Sequence, residues 1–251
     1  MSEASWFFPR WIAHRGAGKI APENTLAAFR VGAAHGFRAF ECDVKLSADG
    51  IPFLLHDSTL QRTTSGQGPA AALTWSELSR LDAGSWHSPG YAGEPLPSFA
   101  AIASYCLRNG FALNAELKPS PKAELDTGRV VATMAAQLWA GAAAPLLLSS
   151  FERSALEGAR AAAPQLPRAL LLDALHDGWL DDAKALGCVA VVTDHVLLDA
   201  AVLAAIRGAG MHGLVYTVND PAAAKRVGAL GIDGVITDAV DRFAPGAEVA
   251  D

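Results

Sequence analysis

Short, strongly apolar runs recur eight times along the chain, and alanine-rich stretches with helical spacing separate most of them. Runs this apolar are buried on both faces, the mark of parallel strands, and parallel strands need long crossovers between them. The runs are Trp11–His14, Ala39–Val44, Ala112–Glu116, Leu146–Ser149, Ala169–Leu172, Ala190–Thr193, Leu214–Val218 and Val235–Thr237. Helical patterns occupy Thr25–His35, Thr127–Ala140, Glu152–Ala162, Trp179–Leu186, Ala200–Arg207 and Ala222–Leu230. Asn24 is placed to cap the first helix and Gly36 follows it; Asp220-Pro221 reads as a cap with proline at the first helical position. Eight strands with helical crossovers in 251 residues predict an α/β fold, a TIM (β/α)8 barrel occupying 1–251 as one domain.

One run breaks the alternation. Ile51–His56 reads as a strand, yet only Ala48-Asp49-Gly50 separates it from the second barrel strand. That gap is too short for a parallel crossover, and Asp-Gly is a hairpin turn signal. With Asp49-Gly50 as the two turn residues, Ala48 faces Ile51 and Asp43 faces His56. The β-hairpin thus extends the second strand and folds His56 back beside Asp43.

Residues 57–110 are the longest interval without a barrel strand and read as an insertion over the barrel mouth. Thr74 and Glu77 have capping-box spacing, and Ser98 is placed to cap a helix running to Asn109. The segment looks too poor in apolar periodicity for a core of its own. Trp86 and Tyr91 either contact substrate or fill what core it has, and the second is the expectation.

Composition removes several classes of function. Twenty-six acidic against twenty basic residues give a formal charge of −6, a poor surface for nucleic acid or an anionic membrane. Three cysteines, Cys42, Cys106 and Cys188, without a Cys-x-x-Cys pair, speak against a disulfide framework or a zinc site. No apolar run is long enough to span a bilayer, and the first residues lack the basic start and apolar core of a signal peptide. The expectation is a cytoplasmic protein whose last few residues are disordered.

The chemistry gathers at strand ends. Glu41 and Asp43 are two apart near the end of the second strand and share a face; Glu116 and Lys118 share a face at the end of the third. Carboxylates inside a barrel are costly unless paired or metal-bound. Each acid alone could pair with Arg15 or Lys118 in a structural network. Three converging acids favour a divalent cation, and an all-oxygen set favours Mg²⁺ or Ca²⁺ over zinc. His14 ends the first strand, and the hairpin brings His56 to the same rim, so two imidazoles that titrate near neutrality flank the acids. Arg15 and Lys118 add two cations suited to phosphate oxygens. Asn219, after the seventh strand, either contacts substrate or starts the next helix. Ser150-Phe151, Thr217 and Thr237-Asp238 are weaker strand-end candidates.

His14-Arg15-Gly16, Pro22-Glu23-Asn24-Thr25, Glu41-x-Asp43, His56-Asp57 and Glu116-x-Lys118, in this order, resemble the glycerophosphodiester phosphodiesterase family. Gly93-Glu94-Pro95-Leu96-Pro97, Thr217-Val218-Asn219 and Ile236-Thr237-Asp238 match later landmarks of that family; Tyr216 stands where many relatives carry tryptophan. The resemblance implies a TIM barrel with an insertion between its second and third strands. It also implies one divalent cation on Glu41, Asp43 and Glu116, with His14 and His56 as acid–base pair and Arg15 and Lys118 on the phosphate. The implied reaction cleaves a small water-soluble glycerophosphodiester, such as glycerophosphocholine, to sn-glycerol 3-phosphate and an alcohol. The competing readings are a phospholipase-type phosphodiesterase acting on intact phospholipid and a non-catalytic phosphodiester-binding barrel.

Overall fold

The computed structural model describes residues 6–243, 245 and 246. The expectations for the first five and last few residues lie outside them. Among the described residues the strands are β1 (Trp11–Ala13), β2 (Ala39–Leu46), β3 (Pro52–Leu54), β4 (Ala112–Leu117), β5 (Leu146–Ser150), β6 (Arg168–Leu172), β7 (Ala190–Asp194), β8 (His212–Tyr216) and β9 (Gly234–Thr237). The sheet runs β1-β9-β8-β7-β6-β5-β4-β2, and a β1–β2 pairing closes it. Every pairing in this ring is parallel, whereas β3 lies antiparallel on β2 outside it. The helices are α1 (Leu26–Ala34), α2 (Trp75–Leu78), α3 (Phe99–Asn109), α4 (Glu124–Leu138), α5 (Arg153–Ala162), α6 (Trp179–Ala185), α7 (Ala200–Gly208) and α8 (Pro221–Ala229). This is the TIM barrel expected from the alternation of runs.

Local signals set most element ends. Ser98 caps α3 by accepting the Ala101 N–H, and Gly110 ends it in the left-handed region, where glycine bears no Cβ penalty. Asp220 accepts from Ala222 and Ala223 with Pro221 at the first helical position. The α1 cap differs from expectation. Thr25, not Asn24, accepts the Ala28 N–H, because Thr25 has the extended backbone a cap requires while Asn24 is left-handed, φ 59°.

Two apolar layers hold the barrel. Outward side chains such as Phe40, Cys42, Leu113, Leu148 and Val191 pack under the helices. Inward ones form a separate interior cluster in which Ala39, Ala112, Ala169 and Ala190 leave room for Phe8. Burying one such phenylalanine contributes roughly 1.5–3 kcal/mol. Above this apolar floor the inward positions of β2 and β4 turn polar: Glu41, Asp43, Asn114 and Glu116.

The hairpin forms, but its register is shifted by one. Val44 faces Leu54 and Leu46 faces Pro52, so Asp43 stands opposite Leu55 rather than His56. The turn uses residues 48–50, not two: Ser47 N–H donates to Ile51 O, Gly50 N–H donates to Ser47 O, and Gly50 has φ 78°. A left-handed glycine closing a three-residue loop is a bulged hairpin. Regular alternation in this register would turn His56 away from the mouth. The chain leaves the strand after Leu54, and His56 reaches the mouth from that irregular segment.

Contrary to expectation, the segment beyond β3 has a small core of its own, in which Leu55, Leu60, Ala70, Leu78, Ala83 and Leu96 pack with Phe53 of β3. No period announces it, because its members come from turns and two short elements. Trp86 is not part of it: the residue is 40% exposed, with Nε1 donating to Ala83 O. Tyr91 packs instead against the main core. Glu77 accepts from the Thr74 N–H and hydroxyl, the capping relation expected there.

Candidate active site

The β2–β4 register sets Asp43 beside Glu116 and Glu41 beside Asn114. All three acids are buried, and one oxygen from each lies within 4.8 Å of the other two. Burial, then the charges of Asp43 and Glu116, push Glu41 well above the usual carboxylate range. Burial and Asp43 likewise push Glu116 up to about 7. Burial also raises Asp43, but Arg15, His56 and Lys118 outweigh it, and with the Asn24 hydrogen bond they hold this acid below its ordinary value.

One oxygen of each acid has a hydrogen-bond donor. Asn24 Nδ2 donates to Asp43 Oδ2 at 2.8 Å. The Arg15 N–H donates to Glu41 Oε2 at 3.0 Å, and Lys118 Nζ donates to Glu116 Oε1 at 2.7 Å. Glu41 Oε1 and Asp43 Oδ1 are buried without a hydrogen-bond partner. Leaving anionic oxygens so is costly. A hard dication between them supplies the missing contact, so the trio fits a bound divalent cation.

Both histidines are oriented by an aspartate. His14 Nδ1–H donates to Asp238 Oδ1 at 2.6 Å, leaving Nε2 facing Glu41 Oε2 at 3.7 Å. His56 Nδ1–H donates to Asp57 Oδ1 at 2.8 Å. Burial, and the nearby Arg15 and Lys118, lower the His56 pKa despite the pull of Asp43 and Asp57. With Nδ1–H held by its aspartate, each imidazole turns Nε2 outward for proton transfer. His14 and His56 line one cavity of about 150 Å³ together with Arg15, Glu41, Glu116 and Lys118. Phe151, Leu171, Tyr216 and Ile236 form its apolar wall. Lys118 Nζ also sits over the Phe151 ring, 5.2 Å from its centroid.

A coiled loop after β1 makes this convergence possible. Arg15, Gly16, Gly18 and Asn24 all have positive φ. A Cβ at Gly18 would stand 2.1 Å from the Asp238 carbonyl oxygen, so only glycine lets the loop meet the segment carrying Asp238.

A protein-family model for the glycerophosphoryl diester phosphodiesterase family matches residues 14–242. The chain belongs to this family. The phosphodiesterase is 31% identical over 236 residues to YhdW of Bacillus subtilis (strain 168), covering 92% of this chain and 94% of the relative. Among solved structures it is similar to an Oleispira antarctica phosphodiesterase in complex with the product sn-glycerol-3-phosphate. That likeness has a TM-score of 0.87 and 34% identity over 94% of this chain and 95% of the other. It is also similar to a glycerophosphodiester phosphodiesterase of Agrobacterium tumefaciens, TM-score 0.78 and 28% identity, over 94% and 99% of the two chains.

Of the residues singled out in the sequence, His14, Arg15, Glu41, His56, Glu116 and Lys118 line the cavity, and Asp43 is fully buried and clusters with Glu41 and Glu116. Asn219 stands one step back. Its Nδ2 donates to Asp238 Oδ2 at 2.9 Å and its Oδ1 accepts the Asp238 N–H at 2.8 Å, so it orients the aspartate that holds His14. Strand parity says nothing of the orienting roles of Asn24, Asp57 and Asp238, but it does put Asn114, two residues before Glu116, on the same face as that acid. Asp238 carried a faint signal, its position just past the last strand. Asn24 reads as a helix cap, and the Pro22-Glu23-Asn24-Thr25 landmark that contains it assigns it no role.

Proposed function

We propose that the phosphodiesterase hydrolyses glycerophosphodiesters, such as glycerophosphocholine, to sn-glycerol 3-phosphate and an alcohol in a cation-dependent reaction. The observation that carries the reading is the single cavity shared by two aspartate-held imidazoles, two cationic side chains and the acid trio. The sn-glycerol-3-phosphate bound to the Oleispira antarctica relative supports the substrate class. Glu41, Asp43 and Glu116 would hold one Mg²⁺ or Ca²⁺, an all-oxygen set that suits either ion. When bound, the cation supplies Lewis-acid stabilisation of the phosphoryl oxygens.

Arg15 and Lys118 bind the single negative charge of the diester and meet the charge that grows as the P–O bond breaks. One imidazole Nε2 takes a proton from the attacking hydroxyl, of water or of the neighbouring glycerol carbon. The other gives a proton to the departing alkoxide. Asp238 and Asp57 keep each ring in the tautomer that leaves Nε2 free and stabilise the imidazolium. Asn219 positions Asp238. The apolar wall of Phe151, Leu171 and Tyr216 excludes water from one side of the reacting group. Residues 57–110 form the insertion over the mouth, which carries Asp57.

The test is product identification. Glycerophosphocholine with Mg²⁺ or Ca²⁺ yields sn-glycerol 3-phosphate and choline, EDTA abolishes turnover, and diacyl phospholipid vesicles are not cleaved. Turnover unaffected by EDTA, or absence of sn-glycerol 3-phosphate among the products, overturns the reading.

A further inference from the structure

One guanidinium outside the cavity joins its two halves. Arg62 sits in the segment after β3, where buried Leu60, Thr63 and Thr64 fix the backbone. The Thr64 N–H and hydroxyl both donate to Leu60 O, and the Leu60 N–H donates to Gly68 O. From this anchored turn the Arg62 side chain grips two carboxylates. Nε donates to Asp57 Oδ2 at 2.6 Å and Nη2 to Asp57 Oδ1 at 2.9 Å. Nη1 donates to Glu23 Oε2 and Nη2 to Glu23 Oε1, both at 2.8 Å.

The two oxygens bound by Nη2 are the ones that continue inward. Glu23 Oε1 also accepts from Arg15 Nη1 at 2.8 Å, and Asp57 Oδ1 also accepts from His56 Nδ1 at 2.8 Å. A continuous line therefore runs Arg15–Glu23–Arg62–Asp57–His56, and a single nitrogen atom is its midpoint.

We propose that Arg62 is a positioning residue: by clamping Glu23 and Asp57 together it sets the phosphate-binding Arg15 and the acid–base imidazole of His56 at a fixed spacing. The proposal rests on the roles given above to those two groups. A planar fork holds each of the two carboxylates by a pair of hydrogen bonds in one fixed plane, which the three freely rotating donors of an ammonium cannot do. The Arg62 side chain is 43% exposed, and exposed ion pairs contribute little to folding stability. Its value therefore lies in geometry, and catalysis is sensitive to displacements of about 1 Å.

The experiment compares the wild type, Arg62→Met, Arg62→Lys, Asp57→Asn, Arg62→Met/Asp57→Asn and His56→Ala, with glycerophosphocholine and saturating Mg²⁺ or Ca²⁺. Arg62→Met is expected to lower kcat about 10–100-fold with KM changed less than threefold and thermal midpoint within a few degrees. Arg62→Lys is expected to recover only part of the rate. The double variant is expected to be no slower than Asp57→Asn alone, because both changes cut the same line. A rate for Arg62→Met within twofold of wild type, full recovery in Arg62→Lys, or rate losses that multiply in the double variant overturns the proposal. So does a rate loss matched by a large fall in thermal midpoint. A His56→Ala enzyme at wild-type rate overturns the acid–base reading and this proposal with it. A normal Arg62→Met beside an inactive His56→Ala overturns this proposal alone.

Discussion

Asn24 holds Asp43 by both ends of its amide: Nδ2 donates to Oδ2 at 2.8 Å, and Oδ1 accepts the Asp43 N–H at 3.0 Å. This fixes the carboxylate plane and leaves Oδ1 buried without a hydrogen-bond partner, in the acid cluster with Glu41 and Glu116. Asn24→Ala removes both contacts at a buried site, and a hydrogen bond to a charged group contributes about 1.5–3 kcal/mol. The variant is expected to lose about 2 kcal/mol of stability and 10–100-fold in cation affinity, as supports of metal ligands commonly do. Denaturant melts and calorimetric Mg²⁺ or Ca²⁺ titrations measure the two effects. Unchanged affinity would show that Asp43 needs no such support.

The aspartates behind the histidines predict a graded kinetic series. His14→Ala and His56→Ala each lower kcat by about 10²–10⁴-fold, the usual effect of losing one acid–base group. Asp238→Asn keeps the shape of the contact but removes the charge that stabilises the His14 imidazolium, and is expected to fall between wild type and His14→Ala. Steady-state rates at saturating cation decide it; a fully active Asp238→Asn would leave His14 without need of its partner.

Cation binding should depend on pH with a definite sign. Burial and the Asp43 charge hold Glu116 at about 7 without cation, so near neutrality binding must expel a proton from it. Affinity for Mg²⁺ or Ca²⁺ is expected to fall as pH drops from 8 to 6, with proton release that calorimetry in buffers of different ionisation heat detects. Stability of the cation-free protein follows the opposite course. A carboxyl whose folded pKa is raised stabilises the fold below its ordinary value of 4.5, and that contribution is lost as pH rises through about 7. Glu116→Gln should remove that loss, and thermal melts from pH 4 to 8 check it.

Gly18 is a steric prediction. A Cβ there meets the Asp238 backbone at 2.1–2.4 Å in a left-handed conformation, φ 57°. Gly18→Ala is expected to cost about 2–4 kcal/mol of stability and to lower kcat by displacing Asp238 from His14. Gly50→Ala, whose Cβ meets nothing within 4 Å, isolates the φ penalty. Equal losses in the two variants, read from denaturant melts, would mean the Asp238 contact is unimportant.

The residues themselves determined the barrel, because a buried parallel strand and its helical crossover are local patterns, each written in contiguous side chains. Glu41, Asp43 and Glu116 could be placed together for the same reason: parity within a strand sets the face, and strand ends set the height. What parity could not supply was contact between distant segments. Asn24 departs from its expected capping role because a loop with four positive φ values carries it onto Asp43. His56 reaches the cavity although the hairpin register differs by one residue, because the chain leaves strand geometry after Leu54. Asp238 meets His14 across 224 residues of chain, and Arg62 meets Glu23 across 39. No period or spacing encodes such contacts; closing the barrel decides the first of them, since it brings the end of β9 beside the end of β1.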